Sequence, residues 1–239
     1  MPEPVIVSWS GGKDSALALA ALRAGDRFEP VALLTTVTSG YDRISIHGVQ
    51  RALLHAQAQA LGLPLHEAWI EPECSNEAYE ESFAAALDEL RRRHPDARRV
   101  AFGDLFLEDV RGYREQLLAR LGFEGVFPVW GEPTDRLART SIAAGYEARL
   151  VCVDTTQLPA DFVGRAYDGR LLEELPAGVD PCGERGEFHT FVSSGPGWSG
   201  RVEHRVGESV LRGRFAYCDL LPVETEEAGI VEVGVSAAS

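Results

Sequence analysis

The sequence predicts an α/β protein: a doubly wound parallel sheet followed by a smaller α+β region. Three observations predict it. Short apolar runs alternate with helix-patterned stretches from residue 4 to residue 153, as in a series of βαβ units. Two glycines, Gly11 and Gly12, stand between the first apolar run and the first helical pattern. After about residue 155 the alternation stops and glycine- and proline-rich sequence takes over.

Residues 4–8 read as a buried strand, and residues 14–23 as a helix with apolar positions at Leu17, Leu19, Ala20 and Leu22. Residues 31–37 form the second strand, and residues 49–61 a helix that stops at Gly62 and Pro64. Residues 65–70 are the third strand, followed by a long helix over 76–93 that Pro95 halts. Residues 99–102 are a fourth strand, 110–121 a helix and 125–128 a short fifth strand. A helix over 134–144 and a strand over 148–153 continue the alternation. Right-handed crossovers place helices on both faces of such a sheet. Ligands lie at the carboxyl ends of its strands, near the reversal of strand order. The loops at residues 8–15, 36–48 and 103–112 are therefore the candidate binding loops.

Residues 158–175 are patterned as a helix but interrupted by Gly164 and Gly169, and strand-like segments follow at 188–193, 201–206 and 208–221. The expected organisation is a first domain over residues 1–155, a C-terminal region over 156–222, and a flexible tail over 223–239 that is acidic and then small-residue.

With 239 residues, 45% of them apolar, the chain can bury a substantial core. Its formal charge of −14 argues against broad binding to nucleic acid or anionic lipid, and leaves room for a local basic cleft. No stretch of 18 apolar residues predicts a membrane span, and the start, MPEPVIVSWS, lacks the basic segment of a signal peptide. Cys74, Cys152, Cys182 and Cys218 are scattered without CxxC spacing, which argues against a zinc or iron–sulfur site and for buried small side chains. A cytoplasmic location is expected.

The loop at residues 8–15 carries the strongest chemical signal. Lys13 is the only lysine in a chain with 22 arginines. A compact ammonium on a flexible stem is a different tool from a planar guanidinium. A strand, a glycine turn and a helix start form an anion site: Gly11 and Gly12 admit close approach, and free N–H groups of the first helical turn point outward. Ser8, Ser10 and Ser15 add hydroxyls. The pattern is neither G-x-x-x-x-G-K-[ST], since Asp14 follows the lysine, nor G-x-G-x-x-G.

Residues 10–15, SGGKDS, resemble the PP-loop signature of the N-type ATP pyrophosphatases, which include GMP, asparagine and argininosuccinate synthetases and several tRNA-modifying enzymes. That resemblance implies a Rossmann-like fold of the adenine nucleotide alpha hydrolase type. It implies ATP cleaved between its α- and β-phosphates, with a substrate oxygen adenylated and Mg2+ accompanying the phosphates. Ser8, Ser10, Gly11, Gly12, Lys13, Asp14 and Ser15 would then bind the nucleotide. Asp14 is the candidate magnesium ligand or, alternatively, only a helix cap.

A second constellation lies at residues 183–190, GERGEFHT, where Glu184, Glu187, His189 and Thr190 sit among glycines. By residue type alone it reads as a solvated turn. It resembles the hallmark of one PP-loop branch, the diphthine–ammonia ligase (diphthamide synthase) family. Residues 101–131 are similar to the same family from Gly103–Asp104 to Pro128–Trp130. The resemblance implies ligation of ammonia to an adenylated carboxylate with release of AMP. The protein partner would be translation elongation factor 2 in an archaeal or eukaryotic setting, and another carboxylate would be the acceptor in a bacterial one. It assigns catalytic work to Lys13, Asp14, Glu184, Glu187 and His189, and leaves open which of the last three moves a proton or binds a cation. A homodimer is compatible with it.

Further candidates lie at the expected ligand edge. Asp104 would hold ribose, magnesium or substrate, or cap a turn. Arg114 would bind phosphate or carboxylate, or form a surface ion pair. His47 would reach substrate or cap backbone, with Arg43 beside it. Arg91–Arg93 reads as a helix terminus complementing the macrodipole, and Trp130 as packing. Two other readings compete: a tRNA-modifying PP-loop enzyme, which the acidic charge and missing CxxC disfavour, and a nonenzymatic adenine-nucleotide-binding module.

Overall fold

In the computed structural model of the protein, residues 1–40, 43–44 and 48–223 are described below. His47 and all of the expected tail except Val223 lie outside them.

The first strand, β1 (Glu3–Ser8), is buried over Val5, Ile6 and Val7 and runs into α1 (Lys13–Ala24). Then come β2 (Phe28–Thr38), a two-residue β3 (Arg43–Ile44), α2 (Arg51–Leu61), β4 (Leu65–Ile70) and α3 (Asn76–Arg93). The first part ends with β5 (Arg99–Ala101), α4 (Glu108–Arg120), β6 (Glu124–Val126) and α5 (Thr134–Ala143). Local chemistry sets several ends. Gly62, left-handed at φ 67°, closes α2, and Ser75 Oγ accepts the Ala78 N–H to open α3. The Arg91–Arg93 run closes α3, as its charge and position predict.

Five strands pair in parallel in the order β4-β2-β1-β5-β6, and β3 lies antiparallel against the end of β2. The chain winds outward from β1 through β2 to β4, then returns to the other flank of β1. The reversal of strand order falls between β1 and β5, and ligands of doubly wound sheets bind at the strands' carboxyl ends beside such a reversal. Alternate strand residues divide the core into two faces. Val5, Val7 and Leu33 pack with Ala16, Leu19, Leu53 and Leu54 of α1 and α2. Ile6, Ala32 and Leu34 pack with Phe83, Leu87, Leu117 and Leu118 of α3 and α4. Helices therefore cover both faces, as expected of a doubly wound sheet.

The strand expected at 148–153 does not extend this sheet. It is β7 (Glu147–Asp154), the start of a separate antiparallel sheet in the order β8-β7-β10-β9, with β8 (Phe188–Ser194), β9 (His204–Arg212) and β10 (Phe215–Pro222). An apolar run after a helix looks the same in either setting, and only its partners decide. The helical pattern over 158–175 resolves into a 3₁₀ turn (Ala160–Phe162) and a six-residue α6 (Gly169–Glu174). Val151, Phe191, Val192 and Leu220 of the second sheet join the core built on α1 and α2, so the two sheets share that layer. Among the described residues, no helix is long and apolar enough to cross a membrane.

Candidate active site

The loop after β1 sits at the switch point and is fixed from three sides. Gly11 adopts φ +76°, and a Cβ there would lie 2.9 Å from Gln57 Oε1 and from Leu54 Cδ2, so only glycine fits. Gly103, just past β5, comes closer still. A Cβ on it would lie 2.5 Å from the Asp14 carbonyl carbon, so β5 can abut the head of α1 only because residue 103 has no side chain. Ser15 Oγ donates to the Gly12 carbonyl at 2.9 Å, and Ser10 and Ser15 hydroxyls lie 3.2 Å apart. Gly12 caps α1 with extended backbone, and among the described residues its N–H meets only Ser10 Oγ, at 3.3 Å. Ser8 ends β1 opposite Leu34 of β2.

The third side is the C-terminal sheet. The N–H of Val192 donates to the Gly11 carbonyl at 2.9 Å, and the N–H of Lys13 donates to Thr190 Oγ1 at 3.0 Å. The strand that carries the GERGEFHT motif therefore lies along the loop that carries SGGKDS.

The Lys13 side chain is 3% exposed. Its ammonium donates to both carboxylate oxygens of Asp14 at 2.9 Å and to the Cys182 carbonyl, and stands 5.5 Å from the Tyr167 ring centre and 5.6 Å from that of Phe188. Burial alone would lower its pKa. Asp14 and more distant Glu184 outweigh that and hold it above the ordinary lysine value, so the ammonium stays charged. Burial raises the Asp14 carboxyl, and the Asp180 and Asp104 carboxylates raise it further against the pull of Lys13.

The loop at 180–187 forms the wall over Lys13. Glu187 is buried, and its two oxygens accept the N–H groups of Asp180 and Arg185, each at 2.9 Å. This carboxylate braces the loop from within. Asp180 Oδ1 accepts from the Cys182 N–H at 2.8 Å, and its Oδ2 accepts from the Thr134 hydroxyl at 2.7 Å. Glu184 is different. One oxygen accepts the N–H groups of Leu105 at 2.7 Å and Phe106 at 3.3 Å, which holds the post-β5 loop in place. Burial, Asp14 and Asp104 lift its pKa. His189 faces β7 in register with Cys152, and burial and the Lys13 charge push its pKa down to about 4.

Asp104 lies beside this wall and is ion-paired with Arg114 at 2.6 Å, the guanidinium stacking 4.4 Å from the Phe102 ring centre. Arg114 is thus engaged with Asp104, the surface-pair alternative of its sequence reading in a half-buried form. Arg43 takes a two-toothed grip on Asp219 of β10 at 2.7 and 3.1 Å and donates to the Gly48 carbonyl, tying β3 to the second sheet. Trp130 packs edge-on against Phe127 at 5.9 Å, as expected.

Sequence reasoning missed Gln57, Tyr167, Asp180 and the Cys182 carbonyl. Gln57 alone left a signal: it interrupts the apolar stripe Leu53, Leu54, Ala58, Leu61 of α2 and is fully buried there. Tyr167 donates to the Pro181 carbonyl at 2.8 Å and reads in sequence as one more core aromatic. The four cysteines are unbonded to one another, and all but Cys74 are buried.

The arrangement is a glycine turn at a helix head, with the buried, charged Lys13 in its first turn and the Asp180, Glu184 and Glu187 carboxylates in the loop that walls it. Among the described residues no group of three or more His, Cys, Asp or Glu side chains could hold a metal ion alone. A magnesium ion that also takes phosphate oxygens needs only one or two carboxylates, and Asp14, 29% exposed and shared with the Lys13 ammonium, is the carboxylate of the loop that could serve.

Residues 3–125 match the family described as diphthamide synthase N-terminal domain, and residues 133–222 the diphthamide synthase C-terminal domain. Among curated proteins, the chain is 25% identical over 233 residues to a diphthine–ammonia ligase of Schizosaccharomyces pombe, a match covering 83% of this chain and 37% of that protein. It is 24% identical to the diphthine–ammonia ligase of Homo sapiens over 229 residues and to that of Mus musculus over 233, with 87% of this chain and 85% of each relative covered. The chain thus spans about a third of the first relative's length and most of the other two.

Proposed function

The chain belongs to the diphthamide synthase family, and from that premise we propose that it is an ATP-dependent carbon–nitrogen ligase that adenylates a carboxylate and passes ammonia to it. One observation carries the reading. β8 is bonded to the 11–13 loop through Val192 and Thr190, and the loop before β8 reaches the Lys13 ammonium through the Cys182 carbonyl, so the expected diphosphate loop and the 182–190 segment are direct neighbours.

The donor set suits an adenine nucleotide's phosphates. Among the described residues the N–H of Gly12 holds only a long bond to Ser10. The hydroxyls of Ser10 and Ser15 and the charge of Lys13 stand alongside. In the proposed first step a carboxylate oxygen of the acceptor attacks the α-phosphorus and pyrophosphate leaves. Charge builds on the leaving oxygen, where the helix head and the Lys13 ammonium stabilise it. Asp14 is the residue that would hold Mg2+, which supplies charge neutralisation at the phosphates.

In the second step ammonia attacks the acyl carbon, the bond to AMP breaks and an amide remains. Ammonium must first give up a proton. Glu184 is the side chain best suited to take it: its pKa is raised, and a single oxygen makes both of its bonds to Leu105 and Phe106. Glu187, with both oxygens engaged, acts as a brace. His189 stays neutral above pH about 4 and serves as an uncharged neighbour of the acceptor.

The relatives are named for diphthine and ammonia, and the proposed acceptor is the diphthine carboxylate of translation elongation factor 2. The tRNA-modifying and binding-module readings draw no support from the family match. The test is incubation with ATP, magnesium, ammonium and elongation factor 2 bearing diphthine, following AMP, pyrophosphate and the mass of the acceptor peptide. Formation of AMP together with the amide supports the reading, and absence of AMP with a confirmed acceptor present rejects it.

A further inference from the structure

We propose that Gln57 is a positioning residue that aims the Gly12 N–H at the bound diphosphate, an inference that rests on the function proposed above. The carboxamide of Gln57 is fully buried and makes three hydrogen bonds, two to the loop after β1 and one to β8. Its oxygen accepts the indole N–H of Trp9 at 2.9 Å, and its nitrogen donates to the carbonyls of Gly11 at 2.9 Å and Val192 at 2.6 Å. The Gly11 carbonyl also accepts the Val192 N–H at 2.9 Å, so two donors pull it toward the core.

A peptide unit is planar and trans, so the carbonyl of one residue and the N–H of the next point in opposite directions. Holding the Gly11 carbonyl inward therefore turns the Gly12 N–H outward, to the mouth of the loop. Glycine at 11 does not choose this orientation by itself, because its backbone rotates freely. The choice is made by Gln57 and Val192. In this structure the outward N–H meets only the Ser10 hydroxyl, at 3.3 Å, the longest of the loop's hydrogen bonds, and a phosphate oxygen would be the stronger acceptor.

Two variants separate aiming from packing. Gln57→Met keeps the length and removes all three hydrogen bonds. Gln57→Glu keeps the shape and the acceptor for Trp9 but, when ionised, has no donor for Gly11. A third, Trp9→Phe, removes the indole N–H together with part of the buried ring and leaves the Gly11 bond in place. Calorimetric titration of the full chain with inorganic pyrophosphate and magnesium, and separately with AMP, reads the outcome. Gln57→Met and Gln57→Glu should both lose about tenfold or more in pyrophosphate affinity, the scale of one amide hydrogen bond to a charged oxygen. Their AMP affinity should match that of the wild type. Trp9→Phe should melt earlier and bind pyrophosphate as the wild type does. The Gly12 amide resonance should shift on adding pyrophosphate to wild-type protein and stay put in Gln57→Glu.

Unaltered pyrophosphate binding in Gln57→Glu would overturn the inference, as would equal loss of AMP and pyrophosphate binding. Should Gln57→Met fail to fold, Gln57→Glu carries the test alone. If wild-type protein takes up no pyrophosphate, the proposed function fails with it, and that result is distinct from binding that the variants leave unchanged.

Discussion

Thr190 in β8 and Lys13 at the head of α1, 177 residues apart in sequence, are joined by a 3.0 Å hydrogen bond from the Lys13 N–H to Thr190 Oγ1. The bond ties the C-terminal sheet to the first turn of the helix beneath the proposed diphosphate. Thr190→Val keeps the shape and leaves that N–H buried and unpaired, a cost of about 1–3 kcal/mol. Urea unfolding should register the loss, AMP formation should fall with it, and Thr190→Ser should restore both.

The Lys13 ammonium is enclosed by a carbonyl, a carboxylate and two aromatic rings. Lys13→Ala should lower AMP formation by on the order of 10²–10³, the loss typical of a charge-stabilising donor. Lys13→Arg should not rescue it, because a planar guanidinium is wider than this enclosure and presents its donors as a fork. Circular dichroism of both variants checks that the fold survives. Full AMP formation in Lys13→Ala would remove the basis of the proposed chemistry.

The two glutamates of the motif should separate cleanly. In Glu187→Gln one of the two N–H groups, the buried one of Asp180 or the part-buried one of Arg185, faces an amide that donates instead of accepting, which should cost about 1–3 kcal/mol in unfolding experiments. Glu184→Gln keeps an oxygen for Leu105 and Phe106, so its stability should change by less than about 1 kcal/mol. Its defect should appear in amide formation, with pyrophosphate release retained.

Gly103→Ala tests the close approach of β5 to α1. A methyl group 2.5 Å from the Asp14 carbonyl carbon cannot be accommodated without moving backbone. The variant should melt well below the wild type and lose nucleotide binding, whereas Gly112→Ala, with nothing within 4 Å of its added carbon, should be tolerated.

His189 predicts a pH dependence of stability. Its folded pKa, about 4, lies below the unfolded value of 6.5, so between these values the unfolded chain binds more protons. Stability from this site is complete above pH about 6.5 and falls as the pH drops toward 4, by up to about 3 kcal/mol. Unfolding free energies from pH 7.5 down to 4.5 should show this slope in the wild type and a shallower one in His189→Gln. Identical slopes would mean that His189 is solvated in the folded protein.

Much of the fold was legible because its signals are local. The helix over residues 76–93 and the strand over 65–70 appear with the bounds the sequence predicts, since caps, prolines and periodicity act over a few residues. The loop at 8–15 was legible for the same reason: a strand, two glycines and a lone lysine lie next to one another in the chain. Other features were not. β7 was expected in the parallel sheet, because an apolar run carries no mark of which strands will pair with it.

Residue order alone specifies the α/β alternation, the glycine turn after β1 and the polar groups gathered in it. That β8 lies along that turn, that Glu187 is a brace while Glu184 keeps an oxygen to spare, and that Gln57 holds the Gly11 carbonyl inward emerge only from packing. The physical reason is range. Backbone preference and helix capping are settled within a few residues, whereas the environment of a carboxylate or an amide is set by whichever distant groups the packed core brings within 3 Å of it.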